Sequence, residues 1–350
     1  MTIFTRKTPT SQPPMSSASL THQTHSSGSG RVVFSNGTFV PEADAKISIF
    51  DSALMFGDMV FEMTRSFNGK QFKLEEHIER LFSGLKILRI TIKYSQKELK
   101  DICLQTMEKN QEFFLKTDEH RLMINVSRGP LSIYHQVFDN KVEPTVIVAD
   151  FPLKWTLSGM GQLFDSGINA VIPSQRAIPA HLMDPKIKNR SRLFYQMANI
   201  EVSLFKGDNN WALLLDTDGN ISEGTGDNFF IIKNETIYSP RGRNILRGIS
   251  RDYIFELCDE LKLKYEEKDI EPYDVYTAEE AFMTGTPFCM LPVTTLNSLP
   301  IGNGNKGPVF EKLLNRWSKN VGLDIEKQIK AFNAEMTTTG SGASPYKFAN

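Results

Sequence analysis

The sequence predicts an α+β protein in two parts, a smaller N-terminal α/β domain over residues 31–150 and a larger C-terminal barrel-like domain over 168–335. Three observations carry this expectation. The first half mixes a hairpin, two helical stretches and two strand runs. Residues 151–167 are punctuated by Pro and Gly and read as an interdomain linker. Beyond them the chain is strand-rich, with helical patterns between and after the strands.

The elements follow in order. Residues 32–40 read as a hairpin, because Asn36-Gly37 supplies the positive φ that a tight two-residue turn needs. After Phe72 the period becomes helical: Leu74, Ile78, Leu81, Phe82, Leu85 and Leu88 recur three or four apart. Ser95 and Glu98 form a capping box for a second helix ending near Lys109. Strands are expected at 121–127 and 145–149. In the second half they are expected at 168–172, 211–215, 228–232, 236–238 and 281–284. Helices are expected at 191–206, 250–261 and 309–332.

Residues 1–30 are rich in Ser, Thr, Pro and Gly, too poor in apolar groups to offset their ordering entropy, and read as a disordered tail. They lack the amphipathic Arg pattern of an organellar transit peptide, so a loose tail or a start at Met15 is expected, and a cytoplasmic location with it. Residues 336–350 read as a second loose tail. The 350-residue chain has a formal net charge of -1, which gives no global field for nucleic acid or an anionic membrane. No apolar run is long enough to span a bilayer. Cys103, Cys258 and Cys289 are scattered, as buried thiols would be, and the six histidines have no metal-ligand spacing. Gly302-Asn303-Gly304-Asn305-Lys306-Gly307 matches a dinucleotide fingerprint by letter but lacks its βαβ setting, and reads as a loop.

Two residues concentrate the chemistry. Lys188 precedes a helical stretch, and Glu223 sits in the Gly-rich run 216–228. A partly desolvated lysine can form an imine with an aldehyde, and a carboxylate can hold a pyridine nitrogen protonated. Lys186 is a second candidate for the amine. Arg80, on the helix after Phe72, could donate two parallel hydrogen bonds to a phosphate. Gly248-Ile249-Ser250 opens a helix, where free N–H groups and a hydroxyl suit an anion.

Taken together, six separated motifs resemble the class IV aminotransferases, the fold-type IV pyridoxal 5'-phosphate enzymes. They are 51–62 (DSALMFGDMVFE), 72–81 (FKLEEHIERL), Lys188-Asn189, 221–228 (ISEGTGDN), 246–251 (LRGISR) and 284–287 (TGTP). The resemblance runs from about Val32 to Phe332. It implies that Lys188 carries the cofactor and Glu223 faces the pyridine nitrogen. It further implies that Arg80, Thr225, Gly248, Ile249, Ser250, Gly285 and Thr286 hold the rest of the cofactor. The substrates implied are an amino donor and a 2-oxo acid, with a homodimer in which loops near His135 reach the partner's site.

The substrate pocket departs from the family's patterns. Where D-amino acid aminotransferases hold the carboxylate with tyrosine, arginine and histidine, this chain has Phe61, Ile133 and His135. Where branched-chain enzymes use N–H groups of the turn after Thr286, Pro287 has none. Arg65 is the expected replacement cation, pointing from a strand into the cleft. A structural role for Arg65 in an ion pair is the competing expectation. Phe56, Phe61 and Met63 favour an apolar, branched-chain-like donor. D-amino acid or (R)-amine transamination and an aminodeoxychorismate-type lyase are the alternatives.

Overall fold

The computed structural model describes residues 29–207 and 209–336. The expectations for the two tails therefore lie almost wholly outside the described residues. The strands in chain order are β1 Val32–Ser35, β2 Thr38–Pro41, β3 Met59–Met63, β4 Ser66–Phe67, β5 Lys70–Gln71, β6 His120–Ser127, β7 Thr145–Pro152 and β8 Ile168–Val171. They continue with β9 Asn210–Leu215, β10 Ile221–Gly224, β11 Asn228–Lys233, β12 Thr236–Pro240, β13 Lys264–Lys268, β14 Glu280–Gly285, β15 Cys289–Leu296 and β16 Leu299–Pro300. The α-helices are α1 Ser52–Phe56, α2 Leu74–Leu88, α3 Gln96–Asn110, α4 Lys154–Leu157, α5 Leu163–Ser166, α6 Leu193–Val202, α7 Ile249–Leu261, α8 Pro272–Tyr276, α9 Pro308–Val321 and α10 Ile325–Met336.

The first sheet has the order β2-β1-β7-β6-β3, with every pair antiparallel. Its hairpin turns at Asn36 and Gly37, both at positive φ (49° and 107°). Leu122, Ile124 and Val126 alternate onto the sheet's core face. They meet Leu74, Ile78, Leu81 and Leu85 of α2 and Leu99, Cys103 and Met107 of α3. The Ser95–Glu98 capping box starts α3 as expected. The second sheet is larger and curled, in the order β10-β9-β8-β15-β14-β11-β12-β13, with β16 on β15. Phe229, Phe230, Phe282, Leu291 and Trp317 form part of its core.

Three expectations change. Residues 151–167 are not a bare tether: α4 and α5 form there, and Leu153, Leu157, Leu163 and Phe164 are fully buried in the second core. The single helix expected at 309–332 is two, α9 and α10. Gly322 adopts a left-handed conformation (φ 72°), and Leu323 N–H donates back to Ser318 O at 3.1 Å, closing α9 in a Schellman turn. Strands β3, β5, β10, β13, β15 and β16 were not among those expected, and Glu223 lies on β10.

One contact between α2 and β3 sets the position of the site. Gly84 lets the helix approach so closely that an added Cβ would lie 2.9 Å from Val60 Cγ1. Replacing Gly84 with Val should lift α2 from β3 and cost about 1–3 kcal/mol of stability. Because Arg80 rides on the same helix, cofactor affinity should fall too. Denaturant unfolding and a cofactor titration check this; unchanged values for both would contradict the contact's role.

Candidate active site

The site forms where the two sheets meet. Lys188 lies on an extended segment that returns from the second half of the chain to the edge strand β3. Phe61 N–H donates to Lys188 O at 3.0 Å, and Val60 pairs with Asn189 as an antiparallel bridge. The neighbouring Ile187 is buried in the first core, although it comes after the second sheet has begun. This segment therefore staples Lys188 to the first sheet. Its Nζ sits 5.0 Å from the centre of the Phe61 ring.

Two adjoining cavities share Lys188, Arg192, Glu223 and Leu246 in their walls. One is lined further by apolar groups, among them Ile178, Met183, Ile187 and Phe194. The other is polar and is lined by Arg80, Asn228, Gly248, Ile249, Ser250, Thr284, Gly285 and Thr286. Burial, together with the positive charge of Arg80, pushes the Lys188 amine down to about 7. At neutral pH a large fraction of it is the nucleophilic free amine.

Glu223 is buried on β10 and fixed on three sides. Tyr195 OH donates to Oε1 at 2.9 Å, and Leu246 N–H and Asn228 Nδ2 donate to Oε2 at 3.0 and 3.2 Å. Burial pushes its carboxyl up to about 7 despite these donors. Such an acid is primed to face a cation. A pyridinium would restore its ionised form.

Arg80 is held on its inner side. Its Nε and Nη2 donate to Glu62 at 2.6 and 2.8 Å, and Nη1 donates to Arg247 O at 2.7 Å. A guanidinium has five N–H groups, so three such bonds leave two for an anion. Glu62 is fully buried and would be pushed up by desolvation. Arg80 and His77, whose Nδ1 lies 2.7 Å from Glu62, outweigh this and hold the carboxyl well below its usual range. Helix α7 begins at Gly248 with no side-chain cap on its first N–H groups. Thr284 Oγ1 is buried there without a hydrogen-bond partner among the described residues. A Cβ at Gly248 would fall 2.1 Å from Asn228 Oδ1, so the cradle needs glycine at that point. Unused donors for a phosphate, an acid for a ring nitrogen and a neutral amine for an aldehyde fit pyridoxal 5'-phosphate.

Most of the expected residues converge here. Thr225 lies at the margin: its carbonyl accepts from Arg192 Nη2 at 2.9 Å. Lys186 points elsewhere, paired with Asp184 at 2.7 Å. His135 is exposed on the 132–138 segment, its Nδ1–H donating to Ser132 O at 2.8 Å. Arg65 corrects the expectation of a cation in the cleft. It is buried with 1% exposure, donating to Pro287 O at 2.9 Å and to Gln328 Oε1 at 2.7 Å. Its guanidinium braces the Thr286–Pro287 turn from behind, with its face on the Phe67 ring at 3.8 Å. The competing expectation of an ion pair is met only at a distance: these acceptors are neutral, while the Glu119 carboxylate, which accepts from Gln328 Nε2 at 3.2 Å, still favours the charged guanidinium. Pro287 contributes this carbonyl and lines neither cavity. Tyr195, Arg192, Glu62 and His77 were missed as site residues. Glu62 and His77 stood inside the quoted motifs, but only tertiary contact brings them to Arg80.

The comparisons agree with this geometry. The family model for amino-transferase class IV matches residues 59–296. A Methanocaldococcus jannaschii protein named "Putative branched-chain-amino-acid aminotransferase" is 34% identical over 282 residues, covering 80% of this chain and 93% of its own. The D-alanine aminotransferase of Bacillus licheniformis is 29% identical, covering 87% and 99%. The crystal structure of the Escherichia coli branched-chain amino acid aminotransferase superposes with a TM-score of 0.73 at 26% identity, covering 84% of this chain and 94% of its own. A further branched-chain amino acid aminotransferase structure, at 25% identity and a TM-score of 0.71, contains pyridoxamine 5'-phosphate and covers 90% and 99%. The chain belongs to the class IV aminotransferases, enzymes of fold type IV that depend on pyridoxal 5'-phosphate.

Proposed function

We propose that the enzyme moves an amino group from an apolar, branched-chain-like amino acid to a 2-oxo acid by a ping-pong sequence, with Lys188 as the residue that carries the cofactor and then shuttles the proton. The observation that carries this reading is the Lys188 amine, buried between an apolar and a polar cavity and largely uncharged near neutral pH. Pyridoxal 5'-phosphate, when bound, supplies an aldehyde for the amino group and a ring that accepts the electron pair left by the departing α-proton. Lys188 Nζ, once free, takes that proton and returns it. Glu223 keeps the ring nitrogen protonated, and Tyr195, Asn228 and Leu246 N–H keep Glu223 aimed. Arg80, the start of α7, Thr284, Gly285 and Thr286 would hold the phosphate. The apolar lining of Ile178, Met183 and Phe194 supports an apolar donor.

A second reading, transamination of D-amino acids, draws on the D-alanine aminotransferase relative. A panel of L- and D-amino acids, read by conversion of the cofactor to its amine form, separates the two.

The working form in this reading is a homodimer. Leu54 and Phe56 of α1, Leu193 and Met197 of α6, and Ile133 and Val137 beside His135 are all exposed. Ser191 Oγ lies 3.2 Å from Phe56 O, which brings the α1 and α6 groups side by side. An apolar surface of this kind supports a partner copy, with the His135 segment at the contact.

The charges of the site set two measurable outcomes. Replacing Glu223 with Gln should lower kcat by about 10²-fold or more while changing cofactor affinity far less; equal losses in both would remove Glu223 from the ring nitrogen. In cofactor-free protein, condensation of Lys188 with an added aldehyde should speed up as pH rises through about 7 and then level, because the neutral amine reacts. A rate still climbing toward about pH 10, where an unperturbed amine titrates, would mean an ordinary lysine.

A further inference from the structure

The turn that closes one side of the polar cavity is strained and short of internal donors. Thr286-Pro287-Phe288 joins β14 to β15, and Gly285 pairs with Cys289 across its base. Pro287 has no N–H to donate within the turn. Cys289 is left-handed at φ 65°, a conformation unfavourable to any residue with a Cβ. Gly285 has no room for a side chain, since a Cβ there would lie 2.7 Å from Phe288 Cζ.

Support for this turn comes from the first half of the chain. Strands β4 and β5 form a hairpin with Arg65 at its entry, and the hairpin lodges against the second half. Phe67 is buried in the second core, and Asn68 Nδ2 donates to Val321 O at 3.0 Å. Arg65 Nη1 donates to Pro287 O at 2.9 Å and reaches Cys289 Sγ at 3.4 Å. One nitrogen therefore grips both the proline and the strained cysteine.

A guanidinium can hold a direction only where its other nitrogens are fixed. Nε donates to Ser66 O at 3.2 Å, and Nη2 donates to Gln328 Oε1 at 2.7 Å. Gln328 belongs to α10, and its Nε2 donates to Glu119 Oε1 at 3.2 Å. Glu119 is itself buried and also accepts from Asn68 N–H at 2.7 Å, from Gly69 N–H at 3.1 Å and from Ser66 Oγ. The Gln328 amide is thus engaged at both ends, its oxygen toward a cation and its NH₂ toward an anion, which fixes its orientation. Gln328 to Arg65 and Arg65 to Pro287 are the hydrogen bonds that connect α10 to the cavity wall.

We propose that Gln328 is a positioning residue for the cofactor: through Arg65 it sets the turn at Gly285, Thr286 and Pro287 that receives the phosphate. This deepens the placement of the phosphate proposed above and rests on it. Gln328 lines neither cavity of the site, yet it thereby governs cofactor affinity.

The test loads wild type, Q328M, Q328E and T286A with pyridoxal 5'-phosphate. It reads the dissociation constant and the phosphorus NMR resonance of the bound phosphate. Q328M keeps the length of the side chain and removes both hydrogen bonds. It should raise the dissociation constant about tenfold and move the resonance. Q328E keeps the acceptor for Arg65 and loses the donor to Glu119, so both readings should return close to wild type. A Q328M with wild-type affinity and resonance, even if it melts lower, would overturn the proposal. So would a Q328E as impaired as Q328M. T286A acts on the turn itself. A wild type that binds no cofactor, or a T286A that leaves the resonance in place, would sink the placement of the phosphate and the relay with it. A T286A that moves the resonance beside a Q328M that does not would sink the relay alone.

Discussion

The hydrogen bond from Phe61 N–H to Lys188 O is the constraint on which the rest depends. The lysine belongs to the second half of the chain, yet this bond and the burial of Ile187 dock its segment on the edge strand of the first sheet. An edge strand offers unpaired N–H and C=O groups that need a partner. Here the partner is the segment that carries the reacting amine. The fold thus meets a backbone requirement and places Lys188 between the sheets in one contact.

Around that amine, desolvation and charge are balanced group by group. Glu62 is buried and ionised because Arg80 and His77 converge on it. Arg80 is thereby fixed with its remaining donors turned to the polar cavity. Its positive charge and the loss of water together lower the Lys188 amine. Glu223 is pushed in the opposite direction, because the donors around it do not compensate its burial. Lys188, Glu223 and Arg80 are each left to complete their pairing with something not supplied by the chain itself. A phosphate, an aldehyde and a pyridine nitrogen meet those needs together.

Local signals made the small elements legible. The Asn36-Gly37 turn, the apolar stripe of α2 and the Ser95–Glu98 box each act within a few residues, so sequence periodicity reports them. The convergence of Lys188, Glu223, Arg80 and the 284–286 turn was legible only through ordered motifs, since the residues lie far apart in the chain. What escaped was decided by tertiary packing. Arg65 sits next to a motif, and its type invited a substrate role, but its acceptors come from Pro287 and Gln328, more than two hundred residues away. Residues 151–167 carry the Pro and Gly of a linker, yet Leu153, Leu157 and Phe164 find a core that local composition does not announce.

The central claim is that one buried amine, Lys188, carries the cofactor. Borohydride reduction of the cofactor-loaded protein, followed by proteolysis and mass mapping, tests it most directly. The account predicts a single phosphopyridoxyl label on Lys188. A label on Lys186 or another lysine, or a protein that takes up no cofactor, would contradict it.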